Sequence, residues 1–288
     1  MPPGARSLAF LRLVARVPLR IAHALGIALG WLMYASPTYR RHLRENLQIA
    51  GYGRGARVRH AAIGEAGKAI AEVPKVFFGA RDETLAMVRA FEGREGLQRA
   101  LAARKGLVLL APHFGSFEVA GRAAAELCPL TVLYRPAKMP WVNALLEAGR
   151  VWPKGRMVPA TLAGVRSLLG ALKRGEAVFI LPDQVPGEGE GEWVPFFGRP
   201  AYTMTLAARL AERTDCACFV LTAERLPRGA GFSLRARPLA DAAAGETTQR
   251  RINRAIEDAV RERPEQYLWG YNRYKRPRGA KPPQEAPA

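Results

Sequence analysis

From Gly106 onward, short apolar runs alternate with segments whose apolar residues follow a helical period. This alternation predicts strands at residues 107–111, 130–134, 177–181, 216–223 and 232–236. It predicts helices at residues 116–126, 140–150, 162–174, 204–213 and 247–263. Strands that alternate with helices are typical of an α/β sheet flanked by helices, in which the loops at the strand ends form the functional site.

The length of 288 residues, with 49% hydrophobic residues, is sufficient for a sizeable core. Because no internal linker stands out, we expect one domain over residues 1–276, with the helices before residue 100 packed on it as an extension. Residues 277–288 are rich in proline and polar side chains, which predicts a disordered tail. The cysteines lack metal-ligand spacing and predict reduced, buried thiols in a cytoplasmic protein and no metal site. They are Cys128, Cys216 and Cys218.

Residues 8–35 form an apolar N-terminal region with basic residues on both sides. Its most apolar part, residues 21–35, is shorter than the about 20 residues that a perpendicular membrane span needs. The competing interpretations are a membrane-embedded helix, a signal peptide and an ordinary core helix. No small-x-small cleavage site follows Ala35, and upstream apolar residues recur at helical spacing, so we predict membrane-associated helices that begin at the interface.

The chain is strongly basic, with 44 Lys and Arg against 25 Asp and Glu, a formal net charge of +19. Such a charge favours an anionic partner: nucleic acid, an anionic membrane surface or a phosphorylated substrate. The arginines are spread along the chain and are not interleaved with aromatic residues in basic blocks, and no zinc ligands accompany them. We therefore expect a membrane surface and phosphate groups as partners, and no nucleic acid.

The segment APHFGSFE places His113 five residues before Glu118. On one helix, residues five apart point about 140° away from each other, so His113 must precede the helix and Ser116 is a plausible N-cap. Glu118 would then lie in the first turn and reach back to the loop. A histidine oriented by a carboxylate can act as a general base near neutral pH, although a simple local hydrogen bond is the competing interpretation.

Three further charged residues are candidates for substrate binding. Asp183 emerges from a predicted strand end into a glycine-rich loop, where it could position the site or merely form a turn after proline. Arg150 ends a predicted helix and Arg135 follows a predicted strand, and a guanidinium can hold phosphate with two hydrogen bonds. For any single arginine in so basic a chain, a solvated surface charge is the alternative.

Two aromatic segments each allow two interpretations. Residues 193–198 read as an apolar loop that could line an acyl-chain groove or simply contact the core. Near the C-terminus, aromatic and basic residues interleave, which suits a membrane interface or headgroup site and equally suits packing that closes the domain edge. The residues of this second segment are Tyr267, Trp269, Tyr271, Arg273, Tyr274, Lys275 and Arg276.

The motif HFGSFE resembles the H-x4-D/E motif of the lysophospholipid acyltransferase superfamily, and within it the bacterial late lipid A acyltransferases of the lauroyl/myristoyl type. Further blocks match this family in order along nearly the whole chain. They are YRPAKMPWVNALLEAGR, LPDQVPGEGEGEWVPFFGRPAYT, LAARLAERTDC and QYLWGYNRYKRP. The resemblance implies a mixed sheet with helices on both faces.

The resemblance also implies a reaction and its residues. His113 would be the general base and Glu118 its partner, while Arg150 and Asp183 match the family's functional arginine and the aspartate of its PDQ block. Acyl carrier protein would supply the acyl chain and an anionic lipid A precursor would accept it, without metal or organic cofactor. The enzyme would lie at the bacterial inner membrane with its catalytic domain facing the cytoplasm.

Other functions remain open at this stage. The acceptor could be a lysophospholipid, an ornithine lipid or a glycolipid, and the donor could be acyl-CoA. A non-enzymatic basic membrane-binding protein would share the fold, but the intact H-x4-E argues against it. A nucleic-acid-binding protein would bind in a strongly salt-dependent way, and its binding would not depend on His113.

Overall fold

The computed structural model describes residues 5–137 and 139–283, and its centre is a seven-stranded mixed sheet in the order β1-β9-β8-β2-β5-β3-β4. Only the β8–β9 pair of this sheet is antiparallel. The strands of this sheet are β1 (Val88–Glu92), β2 (Leu107–Leu110), β3 (Leu130–Tyr134), β4 (Gly155–Pro159), β5 (Ala177–Ile180), β8 (Ala217–Arg225) and β9 (Phe232–Pro238). The predicted α/β fold with a mixed sheet is confirmed.

Helices cover both faces of the sheet, because alternate residues of the central strands point to opposite sides. Val108 and Leu110 pack in a core with helices α10 to α12, whereas Leu107 and Leu109 pack in a second core with α8. The helices are α1 (Ala5–Ala15), α2 (Leu19–Tyr34), α3 (Pro37–Ile49), α4 (Ala56–Ala71), α5 (Val73–Phe78), α6 (Arg81–Ala86), α7 (Arg94–Ala102), α8 (Phe117–Leu127), α9 (Pro140–Gly149), α10 (Leu162–Lys173), α11 (Leu206–Arg213) and α12 (Thr248–Glu262).

The five strands and five helices predicted after Gly106 are all present, and no bound differs by more than two residues. The pattern missed β1 and β4, which lie at the two edges of the sheet, where few side chains are buried. It also described residues 193–198 as a loop, which is wrong. This segment belongs to an antiparallel hairpin of β6 (Gly191–Phe196) and β7 (Arg199–Met204).

Helices α1 and α2 form the N-terminal region, and α2 packs tightly against α4 through glycines. A Cβ on Gly67 would lie 1.9 Å from the carbonyl oxygen of Gly26, so the two backbones touch. Helices α1 and α2 also expose large apolar side chains, namely Phe10, Leu13, Ile21, Leu25, Ile27, Trp31 and Leu32. Among the described residues, no single helix has the length and apolar content to cross a bilayer, and α1 from Leu8 with α2 meets those criteria only as a pair bent by 107°.

The segment of residues 264–275, here called the C-terminal strap, crosses the carboxyl end of the central strands. Tyr267, Trp269 and Arg273 are buried in it, with at most 6% exposure, so packing at the domain edge explains these three residues, whereas Lys275 and Arg276 are exposed. Residues 277–283, in the predicted tail, have no helix or strand, and the Lys281 carbonyl accepts a hydrogen bond of 2.8 Å from Trp193 Nε1. Residues 284–288 lie outside the described residues.

Candidate active site

The register of two adjacent strands brings His113 to Asp183. Leu110 of β2 is paired with Ile180 of β5, and each strand is followed after three residues by one of the two side chains. Because parallel strands end at the same edge of a sheet, residues at equal distance past the paired positions meet there. The site therefore lies at the carboxyl edge of the sheet, in the position that the alternation of strands and helices predicts.

Asp183 makes two hydrogen bonds to His113, one to its imidazole and one to its backbone. Its Oδ1 lies 2.8 Å from His113 Nδ1, and its Oδ2 accepts from the backbone N–H of His113 at 2.9 Å. A proton on Nδ1 that is donated to this carboxylate leaves Nε2 as the acceptor. Gln184 Nε2 lies 3.0 Å from that atom, so its amide N–H donates to the imidazole.

The surroundings keep Asp183 ionised although its side chain is only 2% exposed. Burial pushes the pKa of Asp183 upward, but the electrostatic attraction and hydrogen bonds of His113 and the nearby charge of Arg273 outweigh it and lower the pKa. The pKa of the Tyr267 phenol is raised well above its usual value, chiefly by burial and then by the charge of Asp183. A carboxylate with a lowered pKa beside a phenol with a raised pKa is suited to fixing the histidine tautomer.

The turn that follows His113 is fixed by the backbone of its neighbours. Gly115 N–H donates to the Gln266 carbonyl at 2.9 Å, and Ser116 N–H donates to the Ala223 carbonyl at 2.8 Å. Gly115 has a φ of +53°, and a Cβ there would lie 2.0 Å from the Ala223 carbonyl oxygen, so glycine is required. Ser116 stands at the N-cap of α8, as predicted, although its side chain makes no capping hydrogen bond.

A buried ion pair between Arg225 and Glu72 contacts this turn. Arg225 donates to the Gly115 carbonyl at 2.7 Å and binds Glu72 through Nε and Nη2 at 2.9 and 2.8 Å. Glu72 also lies 3.1 Å from His23 Nε2, on α2. Burial alone would raise the pKa of Glu72, but the charge of Arg225 and the hydrogen bonds from His23 and Arg225 lower it to about 2. The turn that follows His113 is thus connected to the N-terminal helices through Arg225 and Glu72.

Glu118 does not orient His113, contrary to the expectation from the sequence. It lies in the first turn of α8, as predicted, but its carboxylate binds both Nε and Nη2 of Arg150, the first at 3.1 Å. The Arg150 guanidinium also lies 5.9 Å from the ring centre of Phe77. The orienting contact belongs instead to Asp183, because the fixed turn at Gly115 brings the imidazole to the end of β5.

Arg135 lies on the surface, and its contacts are weak. Its side chain is 64% exposed, and its Nη2 is 3.4 Å from Glu190 Oε2, itself 59% exposed. An ion pair so open to water contributes little to fixing a side chain. Of the sequence-derived candidates, the structure brings His113 into contact with Asp183 and Glu118 into contact with Arg150, and it leaves Arg135 in solvent.

Sequence reasoning missed the residues that support the site. Gln184 stood within the quoted PDQ block, and an arginine at the end of the apolar strand CFVLTAER was a signal for Arg225. Glu72 gave no signal, because its partner Arg225 is 153 residues away. Among the described residues, no group of three His, Cys, Asp or Glu side chains could hold a metal ion.

Comparison with known proteins identifies the family to which this site belongs. The family model of the bacterial lipid A biosynthesis acyltransferases matches residues 6–276. The chain belongs to this family. Membership makes the protein an acyltransferase, and the match extends over the N-terminal helices, the H-x4-E turn and the C-terminal strap.

Individual members of the acyltransferase family align with nearly the whole chain. The chain is 29% identical over 278 residues to the lipid A biosynthesis palmitoleoyltransferase of Escherichia coli, covering 93% of this chain and 89% of that protein. It is 27% identical to the lipid A biosynthesis lauroyltransferase of the same organism, covering 93% and 90%. A lipid A biosynthesis acyltransferase of Haemophilus influenzae is 26% identical, with 90% and 83% covered.

Proposed function

We propose that this acyltransferase transfers a fatty acyl chain from acyl carrier protein to a hydroxyl of a lipid A precursor, with His113 as the general base. The observation that carries the proposal is the His113–Asp183 pair. The buried carboxylate fixes Nδ1, and Nε2 faces a side-chain amide instead of the core. The names of the family and of its members support the acceptor.

The reaction follows from the free lone pair on Nε2. The acceptor hydroxyl replaces the Gln184 amide at this nitrogen and transfers its proton to it, while the hydroxyl oxygen forms a bond to the thioester carbonyl carbon. The carbon–sulfur bond of the tetrahedral intermediate then breaks, and the leaving thiolate takes the proton from His113. An ester and a free thiol result, no acyl-enzyme forms, and no metal or organic cofactor enters the reaction.

Asp183 and the start of α8 support the two charges that develop. The imidazolium that forms during proton transfer is stabilised by the Asp183 carboxylate at 2.8 Å. The oxyanion requires hydrogen-bond donors, and the first backbone N–H groups of a helix have no partner within the helix. Since α8 begins at Phe117, whose ring centre is 4.9 Å from that of His113, these groups are the proposed oxyanion donors.

Glu118 and Arg150 have a different role in this proposal. The guanidinium of Arg150 is partly buried and held by two contacts to Glu118, with side-chain exposures of 16% and 12%. Such a guanidinium is preorganised to bind a phosphate of the acceptor. We therefore assign Arg150 to acceptor binding and Glu118 to the positioning of Arg150, while Arg135 is at most a peripheral contact.

The charge and the apolar surface support the location of the reaction. The net charge of +19 suits both an acidic carrier protein and an anionic membrane. The exposed apolar side of α1 and α2, which includes Phe10, Leu25 and Leu32 with 64%, 64% and 71% exposure, suits contact with acyl chains. The protein would therefore act at the bacterial inner membrane, with the catalytic domain on the cytoplasmic side.

The test is acyl transfer from labelled acyl carrier protein to a lipid A precursor in detergent, with wild type, His113→Ala and the control His42→Ala side by side. We expect His113→Ala to lower the rate by on the order of 10²- to 10⁴-fold with unchanged thermal unfolding, and the control to transfer normally. A folded His113→Ala protein with full activity would overturn the role of the base. If folded wild type transfers only to a lysophospholipid or only from acyl-CoA, the acceptor or the donor is wrong.

A further inference from the structure

An arginine-lined cleft lies between the end of α3 and the start of α4, away from His113 and its hydrogen-bond partners. We call it the Arg44 cleft, and its volume is about 730 Å³. Its lining consists of Arg44, Leu47, Gln48, Gly51, Gly53, Arg54 and Arg59. Leu47 is buried in the same core as Val108 and Leu110, so the floor of the cleft belongs to the folded domain.

The positive charge of this cleft is not compensated. Among the described residues, none of the three guanidinium groups of Arg44, Arg54 and Arg59 lies within 4.0 Å of a carboxylate oxygen, the limit for an ion pair. Several arginines elsewhere are paired, as Arg250 and Arg254 are with Glu257 and Glu246. Like charges that share one cleft repel each other, so the binding of an anion there is favourable.

The cleft adjoins the exposed apolar end of α2. Arg44 Nε donates a hydrogen bond of 2.9 Å to the hydroxyl of Tyr34, the last residue of α2, which leaves the Nη groups of Arg44 for other acceptors. The Tyr34 ring is in edge contact with Trp31, with ring centres 5.8 Å apart. Trp31 and Leu32 are 44% and 71% exposed. A basic cleft and an exposed apolar surface therefore meet at an aromatic pair.

We infer that the Arg44 cleft binds the phosphate of a membrane-lipid headgroup while the end of α2 contacts the acyl region below it. A lipid headgroup supplies both parts of this surface, because its anion lies next to hydrocarbon and aromatic residues favour the boundary between them. An acidic protein surface would engage the guanidinium groups but not Leu32. The inference rests on the membrane association in the proposed function and adds a specific headgroup site to it.

The test compares two variants with the same net charge. Arg44→Gln/Arg54→Gln/Arg59→Gln removes the cleft charges, whereas Arg166→Gln/Arg209→Gln/Arg213→Gln removes three exposed arginines of α10 and α11. Binding of the full-length protein is measured by co-sedimentation with phosphatidylcholine vesicles that carry phosphatidylglycerol, or oleate at equal surface charge. Each basic residue near an anionic surface contributes about fivefold, so we expect the cleft variant to bind phosphatidylglycerol vesicles on the order of 100-fold more weakly.

The control variant should lose far less, and the preference for phosphatidylglycerol over oleate should disappear only in the cleft variant. Equal losses in the two variants would overturn the inference, since net charge alone would then explain the binding. So would competition by inorganic phosphate at equal concentration, or loss of acyl carrier protein binding with vesicle binding intact. Transfer in detergent separates this result from the proposed function, because the cleft variant should retain it.

Discussion

Two pairs of charged residues lie near the carboxyl edge of the sheet, and they differ in burial and in what they can bind. In the His113–Asp183 pair, the carboxylate is 2% exposed and is also bound to a backbone N–H, while the His113 side chain is 15% exposed. In the Arg150–Glu118 pair, both side chains keep access to solvent, at 16% and 12%. We call the first pair closed because its carboxylate is buried and fixes one tautomer of His113. The Arg150–Glu118 pair is open, because a substrate oxygen could bind to it without leaving a charge unpaired.

The largest effect is expected when the closed pair is broken. Asp183→Asn removes the charge that fixes Nδ1–H and stabilises the imidazolium, so kcat should fall on the order of 10²- to 10⁴-fold with little change in the KM for either substrate. Steady-state transfer assays with Asp215→Asn as control measure this, since Asp215 is 84% exposed. A kcat near that of wild type would mean that the contact seen between His113 and Asp183 is not used in the reaction.

The buried Glu72–Arg225 pair has no proposed contact with substrate, and we expect its loss to lower the stability of the fold. Glu72→Gln removes the closer counter-charge of the buried Arg225 and leaves only Glu65 at 3.4 Å, so the free energy of unfolding should fall by about 3 kcal/mol at neutral pH. Because the pKa of Glu72 is lowered to about 2 in the folded protein, its carboxylate stabilises the fold above about pH 4.5 and loses this effect as the pH falls towards 2. Urea unfolding should therefore show the gap to wild type narrowing below about pH 4.5, and a constant gap would contradict this account.

The open pair should affect acceptor binding more than the chemical step. Arg150→Gln should raise the acceptor KM by about 10- to 100-fold, the range expected for a charged hydrogen bond, and Glu118→Gln should raise it by a smaller factor. Variation of the acceptor concentration at saturating donor separates KM from kcat. If Glu118→Gln instead lowers kcat with an unchanged KM, Glu118 acts on the base, as the sequence alone suggested.

The smallest effect is expected for Arg135→Gln. Its pair with Glu190 is more than half exposed, and such pairs contribute about 0–1 kcal/mol, so kcat/KM for transfer should change less than about fivefold. The same assay at low and high ionic strength checks this. A loss as large as that of Arg150→Gln would move Arg135 into the acceptor site.

The sequence predicted the strands that are buried on both faces and missed those at the edges. Leu107 to Leu110 are all fully buried, so their apolar run indicates β2. The edge strands β1 (VRAFE) and β4 (GRMVP) have no clear apolar face and were therefore not predicted. Asp183 was placed at the strand end where the structure puts it. The sequence could not show whether Glu118 or Asp183 contacts His113, because that contact depends on the register between β2 and β5.

The glycine contact between α2 and α4 has a consequence for how this enzyme would sit on a bilayer. The backbone of α2 touches Gly67 of α4, and His23 of α2 is hydrogen-bonded to Glu72, the partner of Arg225. Helix α2 is therefore packed firmly against the rest of the domain. If α2 binds lipid as proposed, the turn that carries His113 would lie at a fixed height and tilt relative to the bilayer. The depth at which an acceptor hydroxyl can react would then be fixed by the geometry of the fold.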